Sequence, residues 1–298
     1  MFFLIFSKSG GPKGKKNANA PQVPIIQHSD VKRMLLQQKV YAEGSQALVY
    51  FAAGLIDSSS DTANSKNDAA LLEFIIPVVK SWPSEFSLEA NKWAIQILGG
   101  YGYTQDFPLE QIYRDNRLNM IHEGAHGVQA VTLLGRNVAL EGGLGAGILC
   151  EKMLNCSYIA QTYTNDAASH DHKALLLECG TALKLATFRF KSVSESLVGV
   201  MGKGEINRAL SNSYEFMNMT GHTIVGWLWL EMAINAVNKL DEMEAAGGGD
   251  SEEEKNFLQG KIAACQYFFR FELRKTEAQA KLLTDMDDTV FNANASYF

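Results

Sequence analysis

From Ser29 onward, apolar residues recur at steps of three and four: Val31, Met34, Leu35, Tyr41, Ala42, Leu48, Val49, Ala52, Leu55 and Ile56. That rhythm places them on one face of a helix, and Ser29 with Asp30 supplies its cap. The helix is expected to stop in Asp57-Ser58-Ser59-Ser60-Asp61, with polar sequence continuing to Asp68. A second helix is predicted over Ala69 to Lys80, bent or ended by Pro77, because proline lacks a donor and crowds the preceding turn. Pro83-Ser84 then opens a third, whose apolar face is Leu88, Trp93, Ala94, Ile97 and Leu98, and Gly99-Gly100 stops it. Tyr101 to Phe107 reads as a loop. Pro108 suits the first position of a fourth helix running through Ile112, Tyr113 and Leu118. A fifth is expected from about Ala125 to Glu141.

Gly142, Gly143, Gly145 and Gly147 interrupt the rhythm and mark a boundary. Beyond it the spacing predicts long helices at about 148–168, 171–199, 205–245 and 252 to about 275. The last two are separated by Gly247-Gly248-Gly249-Asp250-Ser251. Ser251 is placed to cap the final helix, and Glu252, Glu253 and Glu254 suit the positive end of its dipole. Trp227-Leu228-Trp229-Leu230 lies inside a helical pattern and is expected to pack between long helices. Strand-type alternation is nearly absent. The chain therefore reads as all-α: an antiparallel helical bundle over residues 25–143, followed by a second helical extension over 144–298. Residues 1–24 form a flexible, basic approach, with Lys8, Lys13, Lys15 and Lys16 among glycines and prolines. The opening Met1-Phe2-Phe3-Leu4-Ile5-Phe6 is apolar but shorter than a signal-peptide core.

Composition narrows the functional classes. All six prolines of the 298 residues stand at or before position 108, which leaves the long remainder free of helix breakers and excludes a loop-rich sheet protein. With 27 Lys and Arg against 33 Asp and Glu, the net charge of −6 argues against a nucleic-acid binder. No apolar run approaches the ~20 residues of a membrane span. Cys150, Cys156, Cys179 and Cys265 lack the paired spacing of a zinc or redox site and read as reduced, buried thiols. His170-Asp171-His172 alternates ligand types but falls in a polar break between helices, so a solvated loop is favoured and no metal site is expected. The glycines at 142–147 follow no strand, which excludes a dinucleotide fingerprint.

One region carries chemistry. Gln96-Ile97-Leu98-Gly99-Gly100-Tyr101-Gly102-Tyr103 is followed by Tyr113-Arg114-Asp115 and then His122-Glu123-Gly124. Glycines let a backbone approach a bulky ligand. Glu123 precedes a helix start, and a carboxylate in a partly dry pocket can serve as a general base near neutrality. The same residues also read structurally, with Gly99-Gly100 as a plain C-cap and Glu123 serving the helix that follows it.

The order of these residues resembles the C-terminal helical domain of the flavin-dependent acyl-CoA dehydrogenases. There a Gln-x-x-Gly-Gly-x-Gly-Tyr loop precedes an Arg-Asp pair and a Tyr-Glu-Gly-Thr turn. The segment His28-Ser29-Asp30-Val31-Lys32-Arg33-Met34-Leu35 resembles a helix start in the subgroup that carries a C-terminal extension and includes methylthiopropanoyl-CoA dehydrogenase-like enzymes. Leu134-Gly135-Arg136-Asn137, the stretch from Thr220 to Trp229, and Gly260-Lys261 to Tyr267-Phe268-Phe269 look like that subgroup too. The resemblance covers about residues 12–298. It implies FAD as cofactor and α,β-dehydrogenation of an acyl-CoA thioester, with Glu123 removing the α-proton while the flavin N5 takes a hydride from the β-carbon. Gln96, Gly99 and Gly100 match positions that touch the adenosine–diphosphate part of FAD, typically across a subunit interface. A homo-oligomer, an electron-transfer flavoprotein as partner, and a mitochondrial-matrix or bacterial-cytoplasmic setting are implied by the same resemblance.

Two substitutions depart from the pattern. His122 and Ala125 stand where the family has Tyr and Thr, and losing the Thr hydroxyl removes a hydrogen bond worth about 0.5–1.5 kcal/mol. His122 either perturbs the neighbouring carboxylate or is simply a satisfied neighbour. The family also carries an N-terminal helical domain and a central β-domain ahead of this region, so the sequence reads as a truncated or separately encoded C-terminal half. The rival expectation is a catalytically silent helical assembly module that pairs with itself or with a full-length relative.

Overall fold

A computed structural model describes residues 6–8, 22–59, 65–165, 169–246 and 251–298. The Gly10–Lys16 stretch of the basic approach, positions 60–64 of the first polar break and Gly247–Asp250 lie outside the described residues. Helix α1 (Ser29–Ser59) and helix α2 (Ser65–Leu98) are joined by a short link and pack along one another, which makes them antiparallel. A single turn α3 (Gly100–Tyr103), then α4 (Leu109–Leu118) and α5 (His126–Thr132), follow. After them come α6 (Leu144–Gln161), α7 (His170–Gly202), α8 (Ile206–Leu210), α9 (Ser213–Ala245), α10 (Glu252–Tyr267) and α11 (Lys275–Asp285). The all-α expectation holds, with one small addition. Phe6–Lys8 and Gln22–Pro24 form a two-stranded antiparallel ladder within the stretch read as a flexible approach.

The largest departure from the sequence pattern is α2. Ala69–Lys80 and the helix opened at Pro83 are one continuous helix of 34 residues with Pro77 and Pro83 inside it. Pro77 cannot donate to the carbonyl of Glu73, and that loss ordinarily bends or ends a helix. Here the Asn137 side-chain amide donates to Glu73 O at 2.6 Å and replaces the missing partner. Asn137 closes a π-helical segment, Leu133–Asn137, so the helix expected from Ala125 to Glu141 is an α-turn that widens before ending. The Tyr101–Phe107 loop begins with the turn α3. The helices expected at 205–245 and beyond 252 each divide, the second through a π segment at Phe268–Glu272. His170-Asp171-His172 forms the first turn of α7 rather than a loop, with Ser169 Oγ accepting from His172 N–H.

Helix α9 runs through the middle of the molecule, and its tryptophans are buried as expected. It approaches α2 so closely that a Cβ at Gly221 would stand 2.3 Å from Trp82. Trp82 is fully buried. Its ring meets Phe86 at 4.7 Å, His222 of α9 at 5.8 Å, Tyr41 of α1 at 6.0 Å and Phe268 at 6.5 Å. Residues before and after position 143 therefore share one hydrophobic core.

A buried polar seam runs beside these rings. Glu272 is 2% exposed; its Oε2 accepts from the Tyr41 hydroxyl and the Lys275 ammonium, both at 2.6 Å. Burial pushes the Glu272 carboxyl up, but His222 and Lys275 outweigh it and bring it down to about 2. The Lys275 contact is a hydrogen bond, whereas His222 Nε2 stands 3.6 Å away and acts at longer range. The Trp82 indole N–H points to His222 Nδ1 at 3.3 Å, and the Asn218 carbonyl oxygen lies 2.9 Å from the same nitrogen. Burial first, and then the Glu272 charge, push the Tyr41 phenol far above its usual range. All four cysteines are free and buried. Among the described residues no helix is long and apolar enough to cross a membrane.

Candidate functional site

The last turn of α2 sets the first part of the site. Gly99 takes φ +60° and ψ −137°, a conformation that side chains rarely adopt, and this ends the helix at Leu98. Gln96 lies on the exposed face of that last turn, and the backbone at Gly99 and Gly100 is also exposed. A Cβ at either glycine would meet nothing within 4 Å, so open space lies over both. The three residues thus form one accessible patch.

Helix α4 then leads away from it. Its register on α2 is fixed by Asn116, whose amide donates to Asn91 at 2.7 Å, and by Lys80, whose ammonium donates to Asn119 O at 2.8 Å. Arg114 pairs with Glu110 of the same helix at 2.9 Å. Ten helical residues span about 15 Å. The structure therefore does not bring Glu123 together with Gln96, Gly99 and Gly100; it sets them at opposite ends of α4.

Glu123 sits in the turn that joins α4 to α5. Ile121 and His122 N–H groups both donate to Leu118 O, and His126 N–H donates to Met120 O, which closes the turn. Glu123 has φ +51° and Gly124 φ +99°. A left-handed conformation at a non-glycine residue costs about 1–3 kcal/mol and is commonest at functional sites. The Glu123 side chain is exposed, which differs from the partly dry pocket that its chemistry suggests. Its carboxylate makes no hydrogen bond or ion pair among the described residues. Around the site Tyr101, Tyr103, Leu118 and Ile121 are large apolar side chains between 54% and 82% exposed. They fall in two groups, Tyr101 and Tyr103 ahead of α4 and Leu118 and Ile121 at its far end.

Beneath the turn lies a residue that the sequence pattern does not single out. His126 is buried, and among the described residues neither ring nitrogen makes a hydrogen bond of normal geometry, although the Ser81 backbone acts on the ring at longer range. Its Nδ1 stands 3.8 Å from Glu85 Oε2, and its ring lies 4.8 Å from that of Tyr214. The only hint in the sequence is a histidine at the first position of a helix directly behind the glutamate turn. A cleft of ≈ 530 Å³ between α6 and α7, lined by Gly143, Cys150, Phe190 and Lys191, involves none of the motif residues. Among the described residues no grouping of side chains suits a metal ion.

Comparison with known proteins bears on the same regions. Residues 16–138 match the family described as acyl-CoA dehydrogenase, C-terminal domain, and residues 157–294 match the one described as acetyl-CoA dehydrogenase C-terminal like. The 3-methylmercaptopropionyl-CoA dehydrogenase of Ruegeria pomeroyi is 32% identical over 91% of this chain and 43% of its own length. A broad-specificity linear acyl-CoA dehydrogenase of Mycobacterium tuberculosis is 26% identical over 94% of this chain and 44% of its own. The chain thus spans less than half the length of these curated relatives. An acyl-CoA dehydrogenase from Bacillus anthracis, solved with FAD, shares the fold with a TM-score of 0.61 at 19% identity, over 87% of this chain and 43% of the other. With the helical order, the Gln96-to-Glu123 motifs and both matched stretches in agreement, this chain belongs to the acyl-CoA dehydrogenase family and corresponds to its C-terminal helical domains.

Proposed function

We propose that the chain takes part in FAD-dependent α,β-dehydrogenation of an acyl-CoA thioester, with Glu123 as the general base that removes the α-proton. The observation that carries this reading is the turn itself. An unpaired carboxylate is held at φ +51° by backbone hydrogen bonds, although any left-handed glycine would fit there more easily. A strained, exposed and unpaired acid is a poor structural element and a suitable proton acceptor.

The residues at the end of α2 fit the flavin nucleotide. Exposed glycine backbone with open space above it accepts a close, flat ligand, and the Gln96 amide supplies both a donor and an acceptor beside it. Gln96, Gly99 and Gly100 would hold the adenosine–diphosphate portion. When bound, the flavin supplies the hydride acceptor for the β-carbon. The chain's own part is then to present Glu123 to the α-carbon from a fixed backbone, since misplacement of a catalytic group by an ångström is costly.

The apolar side chains flanking the site support an oligomer as the working form, in which a second surface covers Tyr101, Tyr103, Leu118 and Ile121. Electron-transfer flavoprotein is the reoxidising partner that fits this chemistry. Residues 25–143 form the unit that carries the site, and 144–298 form an extension sharing its core. The test is spectroscopic. The 298-residue chain, purified with FAD supplied, is expected to retain a flavin absorption band that bleaches when acyl-CoA is added. Absence of bound flavin would sink the catalytic reading and leave the helical assembly role in its place.

A further inference from the structure

We propose that His126 is a positioning residue whose proton state sets how closely the Glu123 turn is drawn onto α2 through Glu85. The proposal rests on the reading of Glu123 as base only for its consequence, not for its geometry. His126 opens α5, three residues beyond Glu123, and is 5% exposed with both ring nitrogens unsatisfied. Buried polar groups are nearly always paired, so an imidazole with two orphan nitrogens beside a strained turn calls for a role.

Its surroundings supply one. Nδ1 lies 3.8 Å from Glu85 Oε2, beyond hydrogen-bond length, yet within reach of a shift of less than an ångström. The other Glu85 oxygen accepts from the Tyr214 hydroxyl at 3.1 Å, and the Tyr214 ring packs on the His126 ring. Helices α2, α5 and α9 therefore meet at this imidazole. Its backbone N–H donates to Met120 O at 3.2 Å, which closes the turn carrying Glu123 and Gly124. Any movement of the ring toward Glu85 is passed directly to that turn.

The groups that act on the ring are Glu85, Lys80 and the Ser81 carbonyl from α2, and Tyr214 from α9; its own turn adds the exposed His122 and Glu123. Burial holds the imidazole below the usual histidine range and Lys80 acts in the same sense, while Glu85 and the Ser81 carbonyl oppose them. Burial thus favours the neutral form of the ring over the charged one. On acidification it protonates, and the long contact with Glu85 becomes an ion pair that tightens the turn.

The experiment follows imidazole and amide resonances of the 298-residue chain against pH, in a His122→Gln background that removes the other imidazole of the turn. His126 is expected to titrate with a midpoint below about 6.5, and the Gly124 amide is expected to move with that same midpoint. Glu85→Gln should push the midpoint further down, and His126→Phe should erase the inflection at Gly124. Where the Phe variant does not fold, His126→Gln gives the same reading. A midpoint unmoved by Glu85→Gln, or an inflection at Gly124 that persists without His126, overturns the proposal. In the flavin-loaded protein the bleaching rate should bend at the His126 midpoint and lose that bend in His126→Phe; a bend that stays also overturns it. Absence of bleaching in the unmodified chain would count against Glu123 as base, with the Gly124 measurement still deciding the coupling.

Discussion

At the seam where α1, α2, α9 and the Phe268–Glu272 segment meet, Glu272 is almost wholly excluded from solvent, and both Tyr41 and Lys275 point their donors at it. In the segment from Gln96 to Glu123 the carboxylate is exposed, strained and unpaired, and at the other end of α4 the backbone of Gly99 and Gly100 is bare. Each region presents a glutamate, yet one is saturated with partners and the other is not. A buried charge persists only where partners replace its water. An exposed, unpaired charge on a left-handed backbone adds little to the stability of the fold. The contrast separates an acid committed to the interior from one left unpaired at the surface.

The sharpest break of this contrast is at the core. Trp82→Ala removes the ring around which four others pack and is expected to cost about 3–5 kcal/mol, read by thermal or denaturant unfolding. Gln96→Ala in the exposed loop should stay within about 0.5 kcal/mol in the same assay. Equal losses at the two positions would erase the distinction.

Acid acts on the seam next. The Glu272 carboxyl is held at about 2 in the folded chain against an ordinary value of 4.5. A lowered folded value means that the unfolded chain binds the proton first. The stabilisation is complete above the unfolded value and is lost as pH falls through about 4.5 toward 2. The loss amounts to about 3 kcal/mol, and Glu272→Gln should flatten that part of the stability–pH curve. An unchanged slope in the variant would remove Glu272 from the seam's electrostatics.

Asn137→Ala tests the repair of α2. It strands the Glu73 carbonyl freed by Pro77 and should cost about 1–3 kcal/mol in the same unfolding assay. A neutral outcome would mean that the proline is tolerated without its substitute partner. The smallest effect is at the turn. Glu123→Gly relieves the left-handed strain and should leave stability unchanged or raise it by about 1 kcal/mol, whereas a clear loss would make Glu123 a structural residue.

Helix existence from Ser29 onward was legible because most of the helices bury a stripe written at three- and four-residue steps, whereas α9 is buried on every side from Phe216 to Leu230. Ser251 reads as a cap in the sequence and is one in the structure, its Oγ accepting from Glu254 N–H at 3.2 Å. The unbroken α2 was not legible. The partner that rescues Pro77 stands 64 positions away and reaches it only once the chain is folded. The two π segments escaped for a related reason, since a widened turn keeps the apolar rhythm of an α-helix over five residues. At the candidate site the residue order pointed to Gln96, Gly99, Gly100 and Glu123. It could not reveal that Glu123 is exposed on a left-handed backbone, because that follows from how α4 and α5 dock on α2. His126 shows the same limit. Its isolation from hydrogen-bond partners is a property of the packed interior, and a single histidine behind a glycine gives no sign of it.

The strained, unpaired Glu123 is the proposed base, and one comparison decides its role. That role is tested most directly by anaerobic mixing of the flavin-loaded chain with acyl-CoA, comparing the native residue with Glu123→Gln. The variant is expected to keep its flavin spectrum while the bleaching rate falls by a factor of about 10²–10⁴. Bleaching that continues in Glu123→Gln at an undiminished rate would contradict it.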